Sequence, residues 1–183
     1  MKYLLSILFA GSLSTGFAQS DNAPAGIAPE AASKMAKEIS RESELLREKL
    51  KKNKYSDYNI EFTIDTFRIE RQFGRYVDMD YSTAGMTSAA YEAAAQYDSL
   101  MNKYYRRLYQ LLSVDDRKVL VKAQKAWLAF RDSETELTGI LGKEEYSGGG
   151  TMQLITDASA YLELIRKRTI ELFEHLSRAT QSY

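Results

Sequence analysis

Apolar residues recur at intervals of three and four through most of the chain, which is the spacing of one face of an α-helix. The clearest run covers about seven turns and comprises Met86, Ala90, Ala93, Tyr97, Met101, Tyr104, Leu108 and Leu111. A second run, in a helix predicted from about residue 152 to 176, comprises Ile155, Ala158, Leu162, Ile165, Thr169, Leu172 and Leu176. We expect both runs to face the core of a helical protein.

Between these two runs the sequence predicts a helix from Ser113 to about Leu141. Ser113 offers a hydroxyl cap to the first backbone N–H groups, and the acids of the segment SVDD suit the positive end of the helix dipole. One face carries Leu120, Ala123, Trp127 and Arg131, with Gln124 and Glu134 at its flank. Gly142 is a natural end for this helix, and we expect residues 143 to 151, KEEYSGGGT, to form a loop.

The first half of the chain gives a weaker pattern. From about residue 31 to 52 a thin apolar stripe of Met35, Ile39, Leu46 and Leu50 predicts an amphipathic helix, which either docks on the core or binds a partner. We favour docking. In residues 59 to 78, Ile60, Phe62 and Ile64 alternate as in a strand, whereas Phe62, Thr66, Ile69, Phe73 and Val77 keep helical spacing. We predict a helix beginning at Asp65 or Thr66, with a short strand before it as the open alternative.

These segments predict an all-α fold, a four- to five-helix up-and-down bundle that follows a cleaved signal peptide. Residues 1 to 18 have one basic residue, a short apolar run and small residues before Ala18, as secretory signals do. Residues 19 to 30 contain both prolines and predict a flexible linker. We assign residues 31 to 79 to an N-terminal helical extension and residues 80 to 178 to the main domain.

Composition narrows the possible functions. The chain of 183 residues has no cysteine, so thiol catalysis, disulfides, cysteine metal sites and a lipoprotein anchor are excluded. Its lone histidine, His175, has no second histidine or cysteine with which to hold a metal ion, and we expect no cofactor. The formal net charge is +0, which argues against nucleic acid or an anionic membrane surface as a partner. We therefore expect a soluble exported protein, periplasmic where the cell has an outer membrane.

The stretch QKAWLAFRD surrounds the only tryptophan with polar groups. An arginine on the Trp127 face cannot be buried without acceptors, because desolvating its charge costs several kcal/mol. We expect Asp98 and Glu134 to be its nearest acceptors and favour an internal network over a ligand site. The predicted network comprises Asp98, Asn102, Tyr105, Gln124, Trp127, Arg131, Asp132 and Glu134.

Several of these residues also carry a resemblance. The segment DYSTAGM (80 to 86), Asp98, Asn102 and Tyr105, then Leu120, Gln124, Trp127, Arg131 and Asp132, and the turn from Gly148 to Gly150 follow one another in this order. With these motifs, residues 80 to about 175 resemble the LprI-type lysozyme-inhibitor domain family of exported bacterial proteins. The chain departs from that family near Ala89, Thr135 and Ala160, where members commonly carry cysteines, and it lacks the lipid anchor of the member that gave the family its name.

The resemblance implies a non-enzymatic binding protein, with lysozyme inhibition as the leading function. Lysozyme uses two carboxyl groups in a deep cleft, so a slim loop could enter that cleft. The predicted partner-binding loop comprises Lys143, Tyr146, Ser147, Gly148, Gly149 and Gly150, with the ammonium, the hydroxyl and backbone N–H groups as donors and the tyrosine as a stacking ring. The plainer interpretation is a flexible turn between two helices. The alternative function is a cell-envelope module whose first helix or tyrosine-rich surface binds another envelope protein or peptidoglycan.

Overall fold

The computed structural model describes residues 27 to 180, which form six α-helices and no strand. The prediction of an all-α bundle is confirmed. The helices are α1 (Pro29–Lys52), α2 (Asp57–Met79), α3 (Thr83–Leu111), α4 (Val114–Leu141), α5 (Glu144–Ser147) and α6 (Met152–Thr180). The predicted signal peptide and most of the predicted linker lie outside the described residues. No helix in the described part is both long and apolar enough to cross a membrane.

Serine side chains fix the starts of three helices. Ser56, Ser82 and Ser113 each accept a hydrogen bond from the backbone N–H three residues later, which satisfies an otherwise unpaired donor of the first turn. The cap at Ser113 agrees with the sequence prediction. The cap at Ser56 corrects another one, because α2 begins at Asp57 and not at Asp65 or Thr66. The strand-like alternation before Asp65 therefore lies within a helix.

The core is built around α3 and α6, which run parallel and pack along their length. Their buried side chains are Ala90, Ala93, Ala94, Tyr97, Leu100, Met101, Tyr104 and Leu108 from α3, and Ala158, Leu162, Ile165, Leu172, Phe173 and Leu176 from α6. Thr169 is also fully buried and donates its hydroxyl to the carbonyls of Tyr97 (3.1 Å) and Ile165 (2.8 Å). The predicted core faces are thus largely correct. The prediction is wrong for Leu111, which lies at the end of α3 and is 49% exposed.

Helix α2 runs antiparallel to α3 and joins it through charges as well as apolar contacts. Phe62 stacks on Phe173 of α6 with ring centroids 3.9 Å apart. Beside it, Arg107 donates two hydrogen bonds to Glu61, at 2.6 and 2.8 Å, and Lys103 lies 2.7 Å from Glu61. These cations hold the pKa of Glu61 at about 2 against the opposing effect of burial, which is the largest single influence on that carboxyl.

Helix α1 docks on α2, which answers the question that its thin stripe left open. Met35 and Ile39 are buried against Tyr76 of α2 and Ala89 of α3. Ion pairs also join the polar sides of α1 and α2. They are Arg71–Glu42 at 2.8 Å, Arg68–Glu44 at 3.3 Å and Arg75–Glu42 at 3.5 Å. These pairs are partly exposed, so each contributes little on its own, and apolar burial carries the docking.

Helix α4 lies on the side of the bundle, antiparallel to α6. Only Leu120 and Gln124 of α4 are buried, while Trp127 and Arg131 are half-buried. Ala123, which the sequence placed on the inner face, is exposed. The shallow seat of α4 leaves most of its surface in solvent, and it carries the chain to the end of the bundle opposite the α1–α2 turn.

Candidate functional site

The turn between α4 and α6 is more ordered than the predicted loop. Glu144–Ser147 form one helical turn, α5, which corrects the expectation that residues 143 to 151 are all loop. Three successive glycines follow with positive φ: Gly148 at 77°, Gly149 at 69° and Gly150 at 93°. Residues other than glycine rarely adopt this backbone conformation, so the run of glycines permits the chain to reverse direction into α6.

Ser147 holds this turn together through its own hydrogen bonds. Its hydroxyl donates to the carbonyl of Gly142 at 2.9 Å, with the carbonyl of Lys143 also within 3.1 Å, and it accepts the N–H of Gly149 at 3.1 Å. The N–H of Gly148 is bonded to the carbonyl of Glu144 at 2.9 Å. The hydroxyl and two of the glycine N–H groups predicted as donors to a partner are therefore already used within the turn.

The turn still presents groups to solvent. Tyr146 is 62% exposed, and Met152 and Leu154 at the start of α6 are 62% and 55% exposed. Lys143 is also exposed. An exposed aromatic ring with two neighbouring apolar side chains and a cation is the kind of surface that anchors a protein partner. Of the predicted loop residues, the structure leaves Lys143 and Tyr146 available for contact and gives Ser147 and the glycines a shaping role.

The polar row predicted around Trp127 lies on the inner face of α4, with different partners from those expected. Arg131 donates to its sequence neighbour Asp132, at 2.8 and 2.5 Å, rather than to Asp98 or Glu134. The carboxylate of Asp98 instead accepts from Asn102 at 3.0 Å. Burial raises the pKa of Asp98, and the charge of Arg131 opposes that rise. Asp98 and Arg131 thus interact through their charges across the α3–α4 contact.

Sequence reasoning missed Arg168, which completes this row from α6. Its guanidinium donates to the Gln124 side-chain oxygen at 3.0 Å, and the Gln124 amide in turn approaches the Met101 sulfur at 3.7 Å. Arg168 and Arg131 lie 5.9 and 5.7 Å from the centre of the Trp127 ring, within range of cation–π attraction. The only advance signal was its place beside Thr169 in the core run of α6.

Two members of the predicted row take little part in it. The Tyr105 ring tilts against Tyr109, 6.2 Å between centroids, and burial raises the pKa of its hydroxyl. The backbone carbonyl of Glu134 accepts from Thr138 at 2.9 Å, a local helix contact. The row that joins α3, α4 and α6 therefore centres on Trp127, the two arginines and Gln124.

The motif DYSTAGM has a clear structural cause at the α2–α3 turn. Asp80 accepts the N–H of Ser82 at 2.9 Å, and Ser82 accepts the N–H of Gly85 at 3.0 Å. A Cβ on Gly85 would collide with the Asp80 side chain and would lie 2.6 Å from the Asp80 carbonyl oxygen. The glycine is needed because Asp80 folds back over the first turn of α3. The motif shapes a turn, at the same end of the bundle as Tyr146.

Comparison with known proteins identifies the family of this chain. A family model described as "Lysozyme inhibitor LprI" matches residues 77–172, just over half of the chain. The chain belongs to the LprI family. The LprI match begins near the α2–α3 turn and ends within α6, so it spans the DYSTAGM turn, the row around Trp127 and the α4–α6 turn. It also confirms the resemblance found in the sequence.

A relative of this LprI chain is an uncharacterized protein of Rhizobium meliloti (strain 1021), 32% identical over 95 residues. The aligned part is 45% of this chain and 65% of the relative, so the chain covers less than two thirds of the relative's length. No solved structure matches the chain.

A cleft of about 590 Å³ opens at the other end of the bundle. It is lined by Asp57, Tyr58, Glu61, Arg107, Gln110, Leu111, Leu176 and Thr180. Its charged lining is Asp57 and the Glu61–Arg107 ion pair. Among the described residues, no cluster of histidine, aspartate and glutamate could hold a metal ion. The cleft offers little net charge to a ligand, and the α4–α6 turn is the better candidate site.

Proposed function

We propose that this LprI protein is an exported, non-enzymatic inhibitor of lysozyme, and that it contacts the enzyme with the α4–α6 turn. The family supports the activity, and the exposed ring of Tyr146 at the tip of an ordered turn is the observation that supports the location. The turn stands at one end of the bundle, where nothing from α1 or α2 covers its tyrosine.

In this proposal the turn acts as a rigid probe. Tyr146 stacks in the lysozyme cleft where a sugar ring would lie, and Lys143 places its ammonium near the two catalytic carboxyl groups. Ser147 and the three glycines keep these side chains in position, so little conformational entropy is lost on binding. The inhibitor blocks substrate access and needs no chemical step of its own.

Charge sets the expected salt dependence. Lysozymes of the common host type are strongly basic, whereas this chain has a formal net charge of +0. Long-range steering is therefore weak, and contact at the turn must supply most of the affinity. We expect inhibition to change little between low and physiological salt.

One argument for the alternative function, a cell-envelope module that binds a partner through α1, no longer holds. The apolar stripe of α1 that could have met a partner is buried against α2 and α3, at Met35 and Ile39. A tyrosine-rich surface remains available to such a module. Copurification of an envelope protein without any effect on lysozyme would favour it.

The test measures lysis of a cell-wall suspension by a basic lysozyme, with and without the mature chain from Gln19 onward. We expect dose-dependent inhibition. Tyr146→Ala should raise the half-inhibitory concentration at least about tenfold, which corresponds to ~1.4 kcal/mol of lost binding. Tyr55→Ala is the matched control, because Tyr55 is 53% exposed but lies at the opposite end of the bundle.

Two results would overturn parts of this proposal. No inhibition by the wild-type chain at large excess would rule out the activity. Full inhibition by the double variant Lys143→Ala, Ser147→Ala, together with full inhibition by Tyr146→Ala, would rule out the turn as the contact and leave the activity standing.

A further inference from the structure

An unpartnered stripe, apolar at six of its seven positions, runs along the outer side of α4. Its members are spaced alternately by four and three residues for the length of the helix: Val119, Ala123, Ala126, Phe130, Ser133, Leu137 and Ile140. All seven are exposed, with Val119 at 68%, Phe130 at 52% and Leu137 at 48%. The stripe lies beside the inner face of α4 that seats on α6, so no described helix covers it.

The alternating spacing is that of a coiled-coil seam. Residues repeated in this way stay on one side of a helix that winds around a partner helix, and each fits between side chains of that partner. From Val119 to Ile140 the stripe spans roughly 32 Å at ~1.5 Å per residue. A seam of that length is suited to another long helix and far exceeds what a small ligand would need.

Size complementarity points to a second copy of the same chain, oriented antiparallel. With a two-fold axis at Leu128, Phe130 faces Ala126 of the second copy, Ala123 faces Ser133, and Val119 faces Leu137. The largest side chain of the stripe, Phe130, then meets an alanine, Val119 meets another aliphatic side chain, and the symmetry repeats each contact. In a parallel pair each residue would face its own counterpart, which would crowd the two phenylalanines against each other.

Charge gives the same orientation. Lys122 and Glu136 flank the stripe on its solvent side, and both are exposed. In the antiparallel register Lys122 of each chain lies beside Glu136 of the other, so two opposite-charge pairs form. A parallel pair would bring neither lysine to an acid.

We propose that the chain forms an antiparallel homodimer through the outer stripe of α4. The paired stretch from Val119 to Leu137 stops short of the α4–α6 turn, so the dimer leaves both turns free. The two turns then lie at opposite ends of the helix pair. This proposal does not depend on lysozyme inhibition, and either can fail without the other.

The first experiment measures the mass of the mature chain by sedimentation equilibrium over a concentration series reaching about 100 µM, where a dimer with a dissociation constant of ~10 µM would be mostly associated. We expect twice the monomer mass. Phe130→Glu should give the monomer mass with unchanged helical circular dichroism, because Phe130 is 52% exposed in the single chain. Leu45→Glu is the matched control, since Leu45 on α1 is 62% exposed and should leave the dimer intact.

Orientation is tested by charge exchange and by cross-linking. Lys122→Glu and Glu136→Lys should each weaken the dimer, and the double variant should restore it. Because the chain has no cysteine, a mixture of Val119→Cys and Leu137→Cys chains should form a disulfide between the two variants on oxidation. A wild-type monomer throughout the series, or a disulfide formed by Val119→Cys alone, would overturn the antiparallel dimer.

Discussion

The ion cluster between α2 and α3 makes a prediction about pH that can be worked from its geometry. Glu61 accepts two hydrogen bonds from Arg107 and one contact from Lys103, all within 2.8 Å. We expect Glu61→Gln to destabilise the protein at neutral pH, because the amide carries no charge and its NH₂ group faces two cations. The variant keeps the size of the side chain, so packing is unchanged.

The magnitude follows from the pKa of Glu61, which falls from 4.5 to about 2 in the folded protein. That difference corresponds to at most ~3.4 kcal/mol. Since 34% of the Glu61 side chain is exposed, solvent screening reduces the expected loss to roughly 1 to 2 kcal/mol. The folded-state pKa is the lower one, so this stability is present above pH ~4.5 and is lost as the pH falls towards ~2.

The assay is urea unfolding of wild type and Glu61→Gln at a series of pH values. The two free energies of unfolding should differ at pH 7 and approach each other as the pH falls to ~2 and below, where the folded wild-type carboxyl becomes protonated. Glu171→Gln is the control. Glu171 contacts a single cation, Arg168, at 2.9 Å, and its side chain is 53% exposed, so loss of its charge should change the free energy of unfolding little. A difference for Glu61→Gln that stayed constant down to pH 2 would show that shape, and not charge, accounts for the loss.

Two further substitutions test the turn and the core. Gly85→Ala should destabilise the protein by about 1 to 3 kcal/mol, because the added Cβ collides with Asp80. The control is Gly74→Ala in α2, where a Cβ meets nothing within 4 Å, and it should stabilise the protein by ~0.5 to 1 kcal/mol. Equal effects of the two variants in thermal unfolding would contradict the steric account. Leu172→Ala should lower the free energy of unfolding by ~2 to 5 kcal/mol, because Leu172 is fully buried. Ile170→Ala, two residues away and 36% exposed, should lower it far less. A similar loss of stability for both variants would mean that α6 does not pack as described.

The core of this protein could be predicted because its helices have one clean buried face. Helices α3 and α6 bury residues at the intervals that the sequence shows, and Ser113 caps α4 where its hydroxyl indicated. Helix α2 was harder to place because it contacts α1, α3 and α6, so apolar residues lie on several sides and Ile60, Phe62 and Ile64 imitate a strand. A helix covered on more than one side no longer shows a simple period.

The sequence by itself determined what depends on near neighbours: the helical class, most of the core faces and one serine cap, together with the motif order that identified the LprI family. Only the tertiary structure decided which polar groups meet. Arg131 bonds the adjacent Asp132, and Gln124 bonds Arg168, 44 residues further along the chain. The tertiary structure also decided that α1 docks on α2, that the Ser147 hydroxyl forms its hydrogen bonds within its own turn, and that no described helix covers the outer stripe of α4. Helical period depends on local spacing, whereas the partner that a polar group takes also depends on how distant helices are brought together, because that decides which acceptors come within its reach.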